Sequence, residues 1–339
     1  MPLTALENRT ARQTRSLARW LLLALASSHL LALSAQAQEL YIDEQFGFAL
    51  TSGVVFASKP VGDPATDMDL HLELYQPTGV GVPTDRPAIV AIHGGAFTAG
   101  DRFSFTQTGI CERMARRGYA CVSIDYRLLG DDPVVGPEYA TLEAALSVGA
   151  DPALAAAIAA ATEDTVEAIA WLDGNAATLG IDPTHLGLTG YSAGGALTEI
   201  VAYFADDAAI TLPQEPLATF NQSGSIDPIV TFVQPGSAAA YIVHGDQDTV
   251  VDIAGAYVFQ AQLQTAAVPH ELHVLPGVGH GYDAFTEEIA PGVSVFEGLV
   301  PFFFAHVASP ADAVPGLGPL GLALAALGVL AGTARALRR

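Results

Sequence analysis

The chain has 339 residues, half of them apolar and 15% charged, which excludes an intrinsically disordered protein and allows one large domain or two ordinary ones. Fourteen Lys and Arg face 36 Asp and Glu, a net charge of −22, so there is no basic surface to neutralise nucleic-acid phosphates. Two cysteines are too few for a disulfide-stapled miniprotein or a zinc-finger array.

Residues 1–37 read as a secretory signal peptide. Arg9, Arg12, Arg15 and Arg19 make a positive region, and Trp20 to Leu33 is an uncharged, mostly apolar run of fourteen residues. The alternative is an uncleaved N-terminal anchor, but the run is short for a membrane span. Ala35-Gln36-Ala37 is a small-x-small cleavage site, which predicts a mature chain starting at Gln38. Residues 313–339 form a second special segment. The 22 residues between Asp312 and Arg335 carry no charge, a length that can cross a bilayer. Arg335, Arg338 and Arg339 follow, so the positive-inside rule keeps this end cytoplasmic and the preceding domain outside. The motif Val314-Pro315-Gly316-Leu317-Gly318-Pro319, the apolar span and the basic end together resemble the C-terminal sorting signals of Gram-negative bacteria, of the PEP-CTERM type. The resemblance implies export to the cell envelope or beyond, a membrane contact through the tail, and a processing protease as partner. A plain tail anchor is the alternative.

The two ends hold seven of the basic residues and one of the acidic ones. Residues 38–314 are therefore left with seven basic against 35 acidic, a net of −28. Such a surface repels itself at low salt and fits a salt adaptation better than a binding patch. Cys111 and Cys121 flank Glu112–Ala120, where a helix gives way to a strand. The chain turns back there, and in an exported domain a disulfide is expected over two buried thiols.

Between the ends the elements alternate. Leu70–Tyr75 alternates apolar and polar residues like a half-buried strand. Pro87–Ile92 is a continuous apolar run ending at His93-Gly94-Gly95, as in a buried parallel strand. Phe105–Arg117 reads as a helix stopped by Gly118, and Ala120–Tyr126 as a strand. The 130–160 stretch is broken by Asp131-Asp132-Pro133 and Gly136-Pro137. It reads either as a cap inserted above the sheet or as a loop with an early helix start. Leu154–Leu172 is a long Ala-rich helix, Leu186–Thr189 a strand, Gly190–Gly195 a tight turn and Ala196–Phe204 a helix. Ala239–Val243, Val251–Ala266 and Glu271–Val274 are strand, helix and strand. The alternation predicts an α/β fold with a mostly parallel central sheet and helices on both faces, over residues 38–312.

Gly190-Tyr191-Ser192-Ala193-Gly194 fits the nucleophile elbow, a strand-to-helix turn that lifts a serine hydroxyl above the sheet edge. The glycines permit the tight turn, and the helix N-terminus directs N–H groups at developing negative charge. A serine needs a base, and the base needs an orienting carboxylate. Both are expected after the serine, acid first. His244-Gly245-Asp246-Gln247-Asp248 lies at the end of a later apolar strand, where functional groups collect. Asp248 is the expected acid, with Asp246 the runner-up and Asp252 third. His280, in Gly277-Val278-Gly279-His280-Gly281, is the expected base. His270, His273, His71, His185 and His306 read as packing or surface residues, and the spacing of His270 and His273 is not the helical zinc motif. His93-Gly94-Gly95-Ala96-Phe97 follows the first buried strand, where oxyanion N–H donors belong. His93 is expected to hold that loop, and Ala193 adds a donor directly after the nucleophile.

These residues resemble the α/β-hydrolase superfamily, in its esterase and lipase branch with a His-Gly-Gly loop. The likeness runs from about Asp69 to His306. It takes in Asp125-Tyr126-Arg127-Leu128, the stretch from Asn175 to Pro183, and Ser192-Ala193-Gly194-Gly195. It implies Ser192 as nucleophile, Asp248 as acid, His280 as base, and Gly95, Ala96 and Ala193 as oxyanion donors. Ala96 stands where many relatives have a third glycine. Asp125, Arg127 and Asp182 are expected to be structural. The implied chemistry is hydrolysis of a small-molecule carboxylic ester with neither metal nor organic cofactor. A peptidase of the prolyl-oligopeptidase type shares this catalytic domain but usually carries a β-propeller, and only about 50 residues of the mature chain precede the first buried strand. A non-catalytic, surface-displayed binding protein on the same scaffold is the other alternative.

Overall fold

The computed structural model describes residues 39–148, 151–205, 208–226 and 233–308. The signal peptide expected at 1–37 and the tail expected at 313–339 lie outside the described residues. Among the described residues no helix is long and apolar enough to cross a membrane.

Strands β1 (Gly47–Val61) and β2 (Thr66–Thr78) form a long antiparallel ribbon. Strand β3 (Arg86–Ile92), helix α1 (Phe105–Ala115) and strand β4 (Ala120–Ile124) follow. Helices α2 (Ala140–Leu146), α3 (Pro152–Gly174) and the single-turn α4 (Ala176–Leu179) lead into β5 (Ile181–Tyr191). Helix α5 (Ala193–Glu199) runs on through a π-helical turn at Ile200–Phe204. The chain continues with β6 (Ala218–Gln222), β7 (Ala239–Gly245), α6 (Ala254–Thr265) and β8 (His270–Leu275). A small hairpin, β9 (Glu288–Ala290) and β10 (Val293–Ser294), precedes α7 (Val295–Phe303).

Eight strands form one sheet in the order β1-β2-β4-β3-β5-β6-β7-β8. Its β1–β2 and β2–β4 pairs are antiparallel, and every pair from β4 through to β8 is parallel. β4 lies on one side of β3 and β5 on the other. The strand order therefore reverses at β3, and a crevice opens beyond the carboxyl ends of β3 and β5.

All seven residues of β3 are buried, as a strand covered on both faces requires. Ala88, Val90 and Ile92 pack with Ile169 of α3 and Leu197 of α5. Ile89 and Ala91 pack on the opposite face with Ile110 and Met114 of α1 and Phe303 of α7. Ala256, Phe259 and Leu263 of α6 cover Ala240 and Ile242 of β7. The disulfide joins Cys111 of α1 to Cys121 of β4, with both residues buried and their Cα atoms 5.1 Å apart.

Three elements escape the hydrophobic pattern. β1 is an edge strand that is largely exposed, so its side chains carry little apolar signal. β6 is five residues long and buries Thr219, Asn221 and Gln222. α7 carries Pro301 inside the helix, a residue that reads as a breaker. The 130–160 stretch contains two 3₁₀ turns, α2 and the opening of α3. α3 starts two residues before the expected Leu154, with Pro152 at its first position and the Asp151 carboxylate accepting from Ala153 N at 2.8 Å.

A buried charge cluster fixes α3 to the sheet. Arg127, just past β4, donates to Asp164 at 2.8 Å and to Glu163 at 2.7 Å, all three without solvent contact or nearly so. Lys59 of β1 donates to Glu163 at 2.9 Å and also reaches Glu167. Removing one partner of such a buried set typically costs about 3–5 kcal/mol, because the other charge is left uncompensated. Asp125 likewise accepts from Arg102 N at 2.8 Å and Nη1 at 2.6 Å, bracing the loop beyond β3.

Candidate active site

Ser192 sits between β5 and α5 with φ 54° and ψ −116°, a conformation that costs an L-residue of order 1–3 kcal/mol. The surroundings enforce it. A Cβ at Gly190 would lie 2.0 Å from the Gly194 carbonyl oxygen, and one at Gly194 would lie 2.1 Å from that of Ile92. Only glycine lets strand, turn and helix close this tightly. Ser192 N donates to Gln222 O at 2.7 Å, tying the turn to the end of β6.

His280 reaches over the sheet edge from the loop after β8. Its Nε2 lies 2.8 Å from Ser192 Oγ and its Nδ1 lies 2.7 Å from Asp248 Oδ2. Tyr191 OH donates to the His280 carbonyl at 3.0 Å and holds that loop down. Asp248 Oδ1 accepts from Val250 N at 2.8 Å and Val251 N at 2.9 Å. Burial raises the Asp248 carboxyl, but hydrogen bonds from His280, Val251 and Val250 outweigh it and hold the group below its ordinary value of 3.8. The carboxylate is thus ionised and aimed at the imidazole across neutral pH.

The runner-up acids are engaged elsewhere. Asp246 accepts from Gly277 N at 2.7 Å, which links the acid loop to the histidine loop. Asp252 accepts from Ala254 N at 2.9 Å at the start of α6. Asp182 closes a local turn on Thr184 N at 3.0 Å.

The loop after β3 takes an unusual path. Ala96 (φ 54°) and Phe97 (φ 60°) are both left-handed, directly after Gly95 (φ 125°). His93 braces this turn. Its Nδ1 lies 2.7 Å from Gly94 O, its ring stacks on Tyr126 with centroids 4.1 Å apart, and Tyr126 OH donates to His93 O at 3.1 Å. Burial pushes the His93 imidazole below its ordinary range. Of the three expected oxyanion donors, Ala96 and Ala193 line one cavity with Ser192. Gly95 directly precedes Ala96, and its carbonyl accepts from Thr98 N at 3.0 Å and Ala99 N at 3.1 Å. Ala193 opens α5, so its N–H has no carbonyl one turn back to bond.

The cavity beside Ser192 has a volume of about 250 Å³. Leu154 and Ile158, from the first turns of α3, form one wall, and Val250 and Val251 form another. Among the described residues, Phe97, Ala196 and Ser225 also line it, and none of the described lining residues has a charged side chain. Sequence reasoning did not find these wall residues. Nothing in the Ala-rich pattern of α3 marks Leu154 as facing a site 38 positions further along the chain. Among the described residues, no group of three or more His, Cys, Asp and Glu side chains is placed to hold a metal ion.

A BD-FAE family model matches residues 72–140 and 144–227, from β2 through α5 to the loop after β6. Lipase 2 of Moraxella sp. (strain TA144) is 35% identical over 122 residues, which are 35% of this chain and 22% of that lipase. Esterase LipC of Mycobacterium tuberculosis (strain ATCC 25618 / H37Rv) is 23% identical over 263 residues, 65% of this chain and 58% of that esterase. The chain therefore spans less than two thirds of the length of these curated relatives. Among solved structures, native esterase 2 of Thermogutta terrifontis superposes with a TM-score of 0.57 at 20% identity, covering 82% of this chain and 99% of that one. A truncated carbohydrate esterase from gut microbiota superposes with a TM-score of 0.56 at 19% identity, covering 77% of this chain and 96% of that one. With the strand order above, these likenesses identify the fold of the chain as that of the α/β hydrolases.

Proposed function

We propose that the chain is an exported serine hydrolase that cleaves carboxylic esters through a covalent acyl-enzyme. The observation that carries this reading is the continuous hydrogen-bonded line Ser192–His280–Asp248 at a cavity whose described lining is uncharged. His280 Nε2 takes the Ser192 proton as Oγ bonds to the ester carbonyl carbon, and the carbonyl oxygen becomes an oxyanion held by the N–H groups of Gly95, Ala96 and Ala193. The bond to the alkoxy oxygen then breaks, and the alcohol leaves with the proton from His280. Water, deprotonated by His280, attacks the acyl carbon, and the carboxylic acid departs as Oγ takes its proton back. Asp248 fixes the imidazole tautomer and stabilises the imidazolium. The apolar lining and the 250 Å³ volume suit an uncharged acyl group of short to medium length.

Export rests on the N-terminal pattern of residues 1–37, and a membrane contact on the tail at 313–339. The Cys111–Cys121 disulfide suits an oxidising compartment.

The test is release of p-nitrophenol from acetate, butyrate and longer esters by the full chain, with Ser192→Ala beside it. Turnover in the wild type and its loss by a factor of at least about 10⁴ in the variant are expected. A folded wild type that turns over no ester, or a Ser192→Ala variant as active as wild type, overturns the reading. Fractionation of producing cells checks export, with the chain expected outside the cytoplasm.

A further inference from the structure

His244 stands near the end of β7, four residues before Asp248, and the reaction just described makes no use of it. Its side chain and the Asp248 carboxylate are both fully buried. His244 Nε2 lies 3.0 Å from the Val251 carbonyl oxygen and 3.1 Å from Asp248 Oδ2. Both neighbours are acceptors, so Nε2 is the nitrogen that carries hydrogen. Nδ1 is buried and has no hydrogen-bond partner among the described residues. An apolar ring would fill this space with no nitrogen left unsatisfied, so packing by itself does not account for a histidine here.

The contacts of Asp248 give the histidine a purpose. Oδ1 takes the Val250 and Val251 N–H groups, and Oδ2 takes His280 Nδ1. His244 therefore touches the same oxygen that faces the catalytic imidazole. It also holds the carbonyl of Val251, whose N–H supports the other oxygen. Resting on the esterase reading above, we propose that His244 is a positioning residue for the acid. Its N–H pins the 248–251 turn beneath the carboxylate and draws charge from Oδ2, which sets how strongly Asp248 holds the His280 imidazolium. Without that N–H, the full charge of Oδ2 falls on His280 and stabilises its protonated form.

The other ionisable groups nearby are committed to different partners. Tyr191 and Tyr282 donate their hydroxyls to the carbonyls of His280 and Val243. Asp246 and Asp252 accept from Gly277 N and Ala254 N. None of these bonds involves Asp248 Oδ2.

The test compares His244→Phe, His244→Asn and His244→Gln in the full chain. Phe fills the space without an N–H, Asn stops short of Asp248, and Gln carries its amide about as far as Nε2. Two readouts are taken. One is the pH profile of kcat/KM on p-nitrophenyl butyrate, and the other is the NMR titration of the ¹³C-labelled His280 ring. In His244→Phe the midpoint of both moves to higher pH by about half a unit, and kcat falls roughly fivefold with KM unchanged, the scale of one lost hydrogen bond. His244→Gln returns both to wild type. If His244→Phe does not fold, His244→Asn shows the same shift in its place. An unmoved midpoint in a folded Phe or Asn variant overturns the proposal, and so does a Gln variant that behaves like Phe. If the wild type hydrolyses no ester, the esterase reading fails, while the titration of His280 still decides this one.

Discussion

Glu199 offers a quantitative test of the packing beneath Ser192. It lies on α5, seven residues after Ser192, and is 3% exposed. Its partners are amides, the side chain of Asn221 and the backbone N–H of Ile226, with no cation among them. Asn221 in turn accepts from Gly224 N at 2.8 Å, so this carboxyl holds the segment that carries Ser225 into the cavity. Burial pushes the Glu199 carboxyl from its ordinary 4.5 up to about 8, and the amide bonds offset this only in part. In the unfolded chain the group loses its proton near its ordinary value. Between that point and pH 8 folding must take up a proton, so this group makes the wild type less stable as pH rises. The loss grows by about 1.4 kcal/mol per pH unit and levels off above pH 8. Glu199→Gln has the same shape and no proton to bind. The variant should therefore gain on wild type from about pH 5 to pH 8, by about 3–5 kcal/mol in all, and hold that advantage above. Urea denaturation of both proteins at pH 5, 6, 7, 8 and 9 measures the gap directly. A gap that stays constant across this range refutes the argument that Glu199 is buried as a neutral acid.

Two further outcomes test the site. Asp248→Asn should lower kcat by about 10⁴ through the wrong imidazole tautomer, whereas Asp246→Asn should keep most of the activity and cost stability at the Gly277 contact. Steady-state kinetics and thermal melts on the two variants separate these roles, and equal losses of kcat would mean that the acid is misassigned. Leu154→Ala and Ile158→Ala remove one wall of the cavity, so the preferred p-nitrophenyl ester should lengthen by several carbons. An unchanged chain-length profile would place the acyl group elsewhere.

Sequence-level reasoning reached the parts of this molecule that local forces decide. Pro87–Ile92 reads as a strand covered on both faces because its six successive buried positions all carry apolar side chains. Gly190 and Gly194 mark the turn at Ser192 because no other residue fits against the carbonyls of Gly194 and Ile92. The expected order, acid before base, follows from the connectivity of the sheet. Elements whose stability comes from partners left weaker traces. β1 is exposed along most of its length and is held by pairing with β2, so its composition shows little burial. β6 keeps Asn221 in the interior because Glu199 and Gly224 satisfy it, and a polar residue in a short run does not read as core.

The turn at Ser192 and the loops of Asp248 and His280 are thus written in the chain, since each depends on a short segment and the end of one strand. Only the tertiary structure decides which carboxylate of Asp246 and Asp248 faces His280. It alone brings His244 under Asp248 and Leu154 opposite Ser192. The physical reason is that these contacts depend on the directions of side chains from elements far apart in sequence. Those directions are set by how β7, α3 and α5 pack on the sheet, and no local pattern of residues encodes them.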